Sequence, residues 1–517
     1  MSQGFARSNT VGGVDDSGSP RSFAVTPEGH LEVAIHAPSL PFGSIHAERL
    51  TPVFQTDAVY GLNSGQVAYG SSGSGSVVVA DSSFSLSSGT TVFSQAFLQS
   101  RKRIRYRAGQ GVVGRFAGFF TSPVANSYQV IGFGHADDGV YFGYQGTSFG
   151  ILYVQRGVRE VRTLTITTAS STTENITITL NGTANTVAVT NSGNIQRTVW
   201  EIATATYTGW KAYPSGATII FIRDAAGTAS GTYSITATTA AGTYVQTKAG
   251  VASTDSFVAQ SSWNGDKLDG TGASGATLDP TKGNVFQIGI QYLGYGTISF
   301  DIEVAPSDGN NATFVRVHTL RLPNTLTATS FSNPSFPFSA AVYSAGSTTD
   351  LTIKFGSFAG FIEGDVVLHG NRYAYVSSTA SAGSSSYYPL ITVMNGRYFT
   401  SRANQSVIHI LSTAFALKHN FPATFALIKN GTLTGNPNFS SYDVGSCALT
   451  DTSATAVSFS ANSQLIAAFP LGDTGDGSFQ FKDDITLQPG EWVSLAVKTN
   501  SGTATYANMT LNTREDQ

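Results

Sequence analysis

Charge is scarce in this chain. Asp, Glu, Lys and Arg together make up 12% of 517 residues, roughly half the usual share for a soluble protein, which excludes coiled coils, long charged helices and acidic disorder. The 29 basic and 32 acidic residues leave a net charge of −3, so no global field exists to hold nucleic acid or an anionic membrane. Cysteine is nearly absent. Cys447 alone excludes an intrachain disulfide framework and a multi-cysteine metal site, and it reads as a small buried hydrophobe. No run of about 18 apolar residues is present to cross a bilayer. The start, MSQGFARSNTVGG, lacks the apolar core of a secretory signal, so the expectation is a soluble chain, made in the cytoplasm and not Sec-exported. The sequons at Asn175, Asn181 and Asn430 then carry little weight.

Catalytic signatures are equally scarce. The sequence has no GxSxG elbow, HExxH, Walker loop or Cys/His cluster. His30 and His36 share one face of an alternating segment, with His46 nearby, but a metal would need a third ligand that the sequence does not supply. Three acidic turns, at Asp137-Asp138-Gly139, Asp266 to Gly270 and Asp473 to Gly477, offer oxygen ligands of the calcium type without the EF-hand ladder, and Asp-Gly is chiefly a turn dipeptide. No acidic pair sits in an apolar, cleft-like context of the kind glycoside hydrolysis uses. The expectation is therefore a chain without catalytic residues, metal or cofactor.

What is present is small, β-branched and aromatic. Hydrophobic residues reach 41%, with 55 Gly, 33 Phe and 21 Tyr. That mixture reads as short strands joined by glycine turns, because branched and aromatic side chains suit a pleated, half-buried surface. At about 150 residues per domain, the length allows three or four structural units.

Four units follow along the chain. Residues 1–63 read as an extended N-terminal arm: Gly, Ser, Asp and Pro dominate the first 30 or so, then LEVAIHAP alternates until Pro38 stops it, and Pro41 and Pro52 argue against a free-standing hairpin. Its apolar residues Leu31, Val33, Ile35, Phe42, Ile45 and Phe54 are the candidate assembly contacts, expected to add to a sheet edge on another body or subunit. The stretch Gly70 to Ser76 reads as a flexible linker. Residues 64–164 and 249–365 read as one antiparallel β-sandwich, with strands at RIRYRAG, VVGRFAGFF, YQVIGFGH, VYFGYQG and SFGILYVQRG and a hairpin closed at Gln155-Arg-Gly157. Residues 165–248 read as an inserted ββαββ module, with an Asn181-Gly182 hairpin and a helix from Asn194 to about 206 whose Ile195, Val199 and Ile202 share one face. Trp200, Val199 and Ile202 should pack onto the module's own strands. Residues 366–517 read as a second sandwich.

Two features point outward. Arg101-Lys-Arg-Ile-Arg-Tyr-Arg107, read as a strand, puts Arg101, Arg103, Arg105 and Arg107 in a stripe on one face and Lys102, Ile104 and Tyr106 on the other. A solvated sheet face, bridges to carboxylates of a neighbouring subunit, and polyanion binding are the readings it admits. The aromatic-rich stretches GVYFGYQGTSFGILYVQ and YPLITVMNGRYF would fill a sandwich core or a subunit interface, or stack on sugar rings.

Taken together, the arm HLEVAIHAPSLPFGSIHAERLTPVFQTDAVYGLN, RIRYRAGQGVVGRFAGFF, GFGHADDGVYFGYQGTSFGILYVQRGVREV and NVFQIGIQYLGYGTISFDIE resemble a family of virion structural proteins of tailed bacteriophages and large DNA viruses of algae, mostly without an assigned role. The insertion is similar to a small module of many phage structural proteins, and the last third, from TVMNGRYF to LQPGEWVSLAV, resembles the same family's ending. The first sandwich also resembles concanavalin-like jelly rolls. The resemblance implies a virion location and a fibre, spike, collar, vertex or capsid-decoration role, and it transfers no catalytic residue. The expectation is a homo-oligomer, a trimer favoured, held by its arm against other virion proteins, with no nucleic acid and no membrane insertion. A receptor-binding protein that attaches to host surface glycan is the alternative, and a virion-borne glycan hydrolase is a third class.

Overall fold

A computed structural model describes residues 12–14, 20–22 and 49–516, apart from 136, 306–311, 366–369, 379, 384, 401, 419–421, 461, 473 and 501–504. Two compact units divide the chain at Arg49. In the first, Gly12–Val14 pairs antiparallel with Pro20–Ser22, a short ribbon in a segment whose composition favoured no order. The candidate contacts Leu31, Val33, Ile35, Phe42 and Ile45, and the histidines 30, 36 and 46, lie outside the described residues.

The second unit is mainly β and antiparallel, with one α-helix among the described residues. Its first body is a sandwich. One sheet runs Thr254–Ala259, Ser148–Gln155, Gly139–Gln145, Ser127–Gly134, Phe338–Ser344, Gln95–Ser100 and Val67–Ser72; the other is built around Val112–Phe120, with Asn284–Ile290 on one side and Thr352–Phe355 and Ser357–Glu363 on the other. Alternation along Val112–Phe120 buries every second residue. Between the sheets lies a phenylalanine core in which Phe142 meets Phe286 at 4.9 Å and Phe338 stacks on Phe358 at 3.9 Å. Gly114 is required there, since a Cβ would stand 2.0 Å from the Phe133 ring.

Three expectations change here. The arm does not extend to residue 63: Leu50–Asp57 is an edge strand of this sandwich, paired with Ser357–Glu363, and Phe54 is a core residue whose ring meets Phe358 edge-on at 6.1 Å. No local hairpin forms, as Pro52 argued; the edge strand tolerates that proline on its unpaired side, here beside a register shift at Gly360/Phe361. Residues 70–76 are not a linker. Val67–Ser72 and Ser76–Ala80 pair in opposite sheets, and the chain turns the corner at Gly73 (φ 65°) and Gly75, where a side chain would strike Ser94 and the Gln95 carbonyl. Gln155-Arg-Gly157 closes no hairpin. It forms the neck of the insertion, where Val158 and Val251 exchange both backbone hydrogen bonds at 2.9 Å.

The inserted body therefore begins earlier than residue 165, because all of Arg159–Thr168 pairs within it, with Thr218–Ala226 and Ala241–Lys248. A three-stranded sheet holds the hairpin Glu174–Leu180 and Thr183–Val189, turned by Asn181 (φ 43°) and Gly182 (φ 85°), signs that match a type I′ turn. The helix Ile195–Thr204 is capped by the Asn194 side chain, which accepts from the Arg197 N–H, and it buries Val199 and Ile202 against the module's sheets. Trp200 behaves otherwise. It leaves the module, and its ring stacks on Phe439 of the C-terminal body at 5.9 Å and 27°.

That C-terminal body is a second sandwich. Asn371–Val376, Thr505–Asp516, Val407–Lys418 and Thr474–Leu487 form one sheet; Tyr388–Asn395, Trp492–Thr499, Ala423–Lys429 and Gln464–Leu471 carry the other. Val393, Phe425, Leu427, Leu495, Met509 and Leu511 fill the space between.

Candidate functional site

The arginine run lies where the two sandwiches meet. Residues 101–107 are largely irregular rather than a strand: Ile104 alone forms a bridge, exchanging hydrogen bonds with Phe336 at 2.7 and 3.0 Å. Alternation persists for Ile104 and Tyr106 but not for Lys102, which is exposed and lies with the arginines. Ile104 is buried in the first sandwich, and Tyr106 sets its ring edge-on to Tyr292 at 5.0 Å while its hydroxyl accepts the Leu293 N–H at 3.0 Å.

Three of the four arginines face carboxylates of the C-terminal sandwich. Asp516 accepts Arg105 Nε at 3.1 Å on one oxygen and Arg107 Nη2 at 2.8 Å on the other. Glu491 holds Lys429 Nζ at 2.8 Å and lies 4.0 Å from Arg101 Nη1, while its Oε2 also accepts the Gln488 N–H. The stripe's partners are thus in this chain, in place of a neighbouring subunit or bulk solvent. Each carboxylate carries two cations.

Arg103 goes deeper, to the junction of all three bodies, where Arg159 of the module and Arg397 of the C-terminal sandwich lie close enough to repel it. Burial first, and those two charges next, pull it down to about 9 against the attraction of Asp137, which leaves it a cation at neutral pH. Arg159 Nε donates to Asp137 Oδ2 at 3.1 Å. His135 accepts the Asp137 N–H on Nδ1 at 3.2 Å, so its Nε2–H is directed at the Asn333 carbonyl, 3.3 Å away. Burial, with Arg103 and Arg159 beside it, pushes His135 down to about 3, and the ring is neutral. Arg397 lies over the Tyr213 ring at 4.8 Å, tying the module to the C-terminal body.

Along the seam run two cavities of about 600 and 470 Å³ that share Lys102, Thr486 and Gln488 in their walls. Two of the arginine nitrogens there, Arg103 Nη1 and Arg107 Nε, are buried without a hydrogen-bond partner among the described residues.

The other sequence candidates serve structure. Asp138 of the DDG turn accepts the N–H groups of Arg156, Ser332 and Asn333. Asp266 accepts from Leu268 and Ser274, and Asp269 from Thr271; Asp473 lies outside the described residues. Glu515 takes the Tyr375 hydroxyl at 3.0 Å and the Cys447 N–H at 2.9 Å, and burial with Glu515 alongside pushes the Cys447 thiol far up, into its unreactive neutral form. Tyr141, Phe142, Tyr144 and Phe149 of the aromatic stretch are buried in the core. Among the described residues, no three His, Cys, Asp or Glu side chains come together to hold a metal ion, and no helix is long and apolar enough to cross a membrane.

Sequence reasoning found the arginines and missed Asp516, Glu491 and Lys429. Asp516 stands 409 residues from Arg107, and the only local signal was the acidic close of the chain, Glu515-Asp516.

No family model matches this chain, and no curated protein matches it. Among solved structures it is compared with the Faustovirus major capsid protein, with 8% sequence identity over 87% of this chain and 90% of that one and a TM-score of 0.11. The class of protein is defined by the chain's own architecture: a β protein of two jelly-roll-like sandwiches with an α+β insertion.

Proposed function

We propose that this chain is a non-enzymatic structural component of a virus particle, of the fibre, spike, collar, vertex or capsid-decoration kind. The observation that carries the reading is the use made of its few charges. At the seams they work as mortar: Asp516 between Arg105 and Arg107, Glu491 between Lys429 and Arg101, and Asp137 on Arg159 join bodies that also share the Trp200–Phe439 stack. Ionic clamps between packed β bodies suit a durable part. The resemblance of the sequence to virion structural proteins of tailed bacteriophages and large algal DNA viruses supports the same reading. Anchoring falls to residues 1–49, since Leu50–Asp57 belongs to the sandwich.

The test is incorporation. Mass spectrometry of purified particles should find the full chain, and a chain lacking residues 1–48 should fold yet be missing from them; absence of the full chain from particles overturns the proposal. The assembly state we propose is a homo-oligomer, with a trimer favoured because it repeats one anchoring contact by closed symmetry. Light scattering of the full chain should give three copies, and a monodisperse monomer counts against it.

A second reading, attachment to host surface glycan, is favoured by one observation: the arginine-lined cavities at the seam.

A further inference from the structure

We infer that a second copy of this chain pairs with the free edge of Ser76–Ala80, strand against strand, across a twofold axis at Val78. The contact lies apart from residues 1–49 and from the trimer proposed above, and it rests only on the reading that the chain works in many copies.

The backbone at this edge is open. Ser76–Ala80 ends its sheet, and among the described residues it pairs with Ser83–Ser87 alone. Asp81 (φ 52°) and Ser82 (φ 54°) form the two-residue turn between those strands, and a hairpin turn with two positive φ angles closes on a hydrogen-bonded pair. Ala80, Val78 and Ser76 therefore use their N–H and C=O groups on Ser83, Ser85 and Ser87, which leaves Val77 and Val79 to direct theirs along the free side. A row of unpaired backbone groups at strand spacing is matched by another strand.

Nothing in the sequence guards it. Sheet edges are commonly blunted by charge, proline or a bulge, and other end strands here carry Asp255, Arg316 and Pro470. From Val67 to Ala80 there is no charged residue and no proline, and the pairing of Ser76–Ala80 runs without a register shift. Val78 is 50% exposed. Tyr69, on the adjoining edge strand Val67–Ser72 of the opposite sheet, is 44% exposed although it stands opposite the buried Leu98. A core-facing ring left that open lacks the next strand that would cover it.

The edge also complements itself. With Val78 on the axis, Val77 of each copy stands opposite Val79 of the other and exchanges both backbone hydrogen bonds with it, while Ser76 stands opposite Ala80. Branched side chains directly opposite one another are favourable cross-strand pairs. The nearest charge along the chain, Asp81, falls opposite Gly75 of the second copy, so no like charges meet. An edge of 5 residues is small beside the roughly 800 Å² per partner of a standard interface, so the contact forms where copies are concentrated, as they are in a particle.

The test is sedimentation equilibrium of the full chain from about 1 to about 100 μM, over which the mass should double. Val78→Lys places two ammonium groups face to face and should weaken the association about tenfold or more, with an unfolding midpoint near that of the wild type because the side chain is half exposed. Val78→Thr keeps the branch and should keep the doubling. Val78→Cys should give disulfide-linked pairs under mild oxidant faster than Tyr60→Cys, which is 99% exposed; Cys447 is buried with its thiol neutral and does not compete. A mass that stays constant, a doubling that survives Val78→Lys, linkage at Val78→Cys no faster than at Tyr60→Cys, or growth into open-ended aggregates overturns the proposal. A mass that doubles from one copy to two sustains this contact and counts against the trimer; a constant mass of three copies does the reverse.

Discussion

His135 sits at the three-body junction with a neutral ring, and its surroundings make a pH prediction. Burial, reinforced by Arg103 and Arg159, keeps the folded chain from protonating it until about pH 3, whereas an unfolded histidine takes a proton near 6.5. Between those values the unfolded state binds the extra proton, so this residue's contribution falls as pH falls, by up to about 1.4 kcal/mol per pH unit. Asp137, raised by burial against the pull of Arg159, contributes with the opposite sign, so the comparison must be made between variants. Urea unfolding of the wild type and His135→Gln at about pH 6.5 and about pH 4.5 should show a smaller acid loss in the variant. An equal loss would mean that His135 is charged in the fold.

At the scale of elements, the insertion helix has two faces with different loyalties. Val199 and Ile202 are buried in the module, so Ile202→Ala should destabilise it by about 2 to 5 kcal/mol. Trp200 is half-buried on Phe439 of the next body. Trp200→Ala should leave the module folded and lose about 0.5 to 1.5 kcal/mol of ring pairing beyond its buried area. Hydrogen exchange separates the two: Ile202→Ala speeds exchange throughout the module, Trp200→Ala only at its contact with the C-terminal body. The edge strand Leu50–Asp57 allows a parallel test. Deleting residues 1–48 should leave the unfolding midpoint of the second unit unchanged, whereas deleting residues 1–63 strips Phe54 from Phe358, exposes the edge of Ser357–Glu363, and should lower the midpoint and promote aggregation.

Across the whole molecule, cohesion between the sandwiches depends on carboxylates shared by paired cations. Asp516 is nearly buried with Arg105 and Arg107 on its two oxygens. Asp516→Asn removes the charge and leaves two guanidiniums facing one amide, and uncompensated charges at a buried bridge cost about 3 to 5 kcal/mol. The expected result is a seam that opens before either sandwich unfolds, read as a lower first transition in calorimetry and new proteolytic cuts near residues 101–107. The double variant Asp516→Asn with Arg105→Gln should recover part of the loss, since it removes one of the stranded charges. Additive losses would count against a shared bridge.

The sequence by itself determined the class of structure and much of its local grain. A composition rich in branched, aromatic and small residues and poor in charge can form little else than short antiparallel strands. Asn181-Gly182 fixes its hairpin because few other dipeptides accept two positive φ angles, and Asn194 starts the helix because its side chain can take a free N–H. The alternation that placed Ile104 and Tyr106 opposite the arginines holds although no strand forms, since it follows from which side chains can leave water. What covers each face was not in the sequence. Period-2 spacing says that Arg101, Arg103, Arg105 and Arg107 point one way, and nothing local names Asp516 or Glu491 as what they meet. Phe54 looked like an arm contact and became sandwich core; Trp200 looked like core and became a seam contact. Those outcomes depend on bodies distant in sequence coming together, and only the tertiary structure, which decides whether a face meets water, a sheet or a charge, settles them.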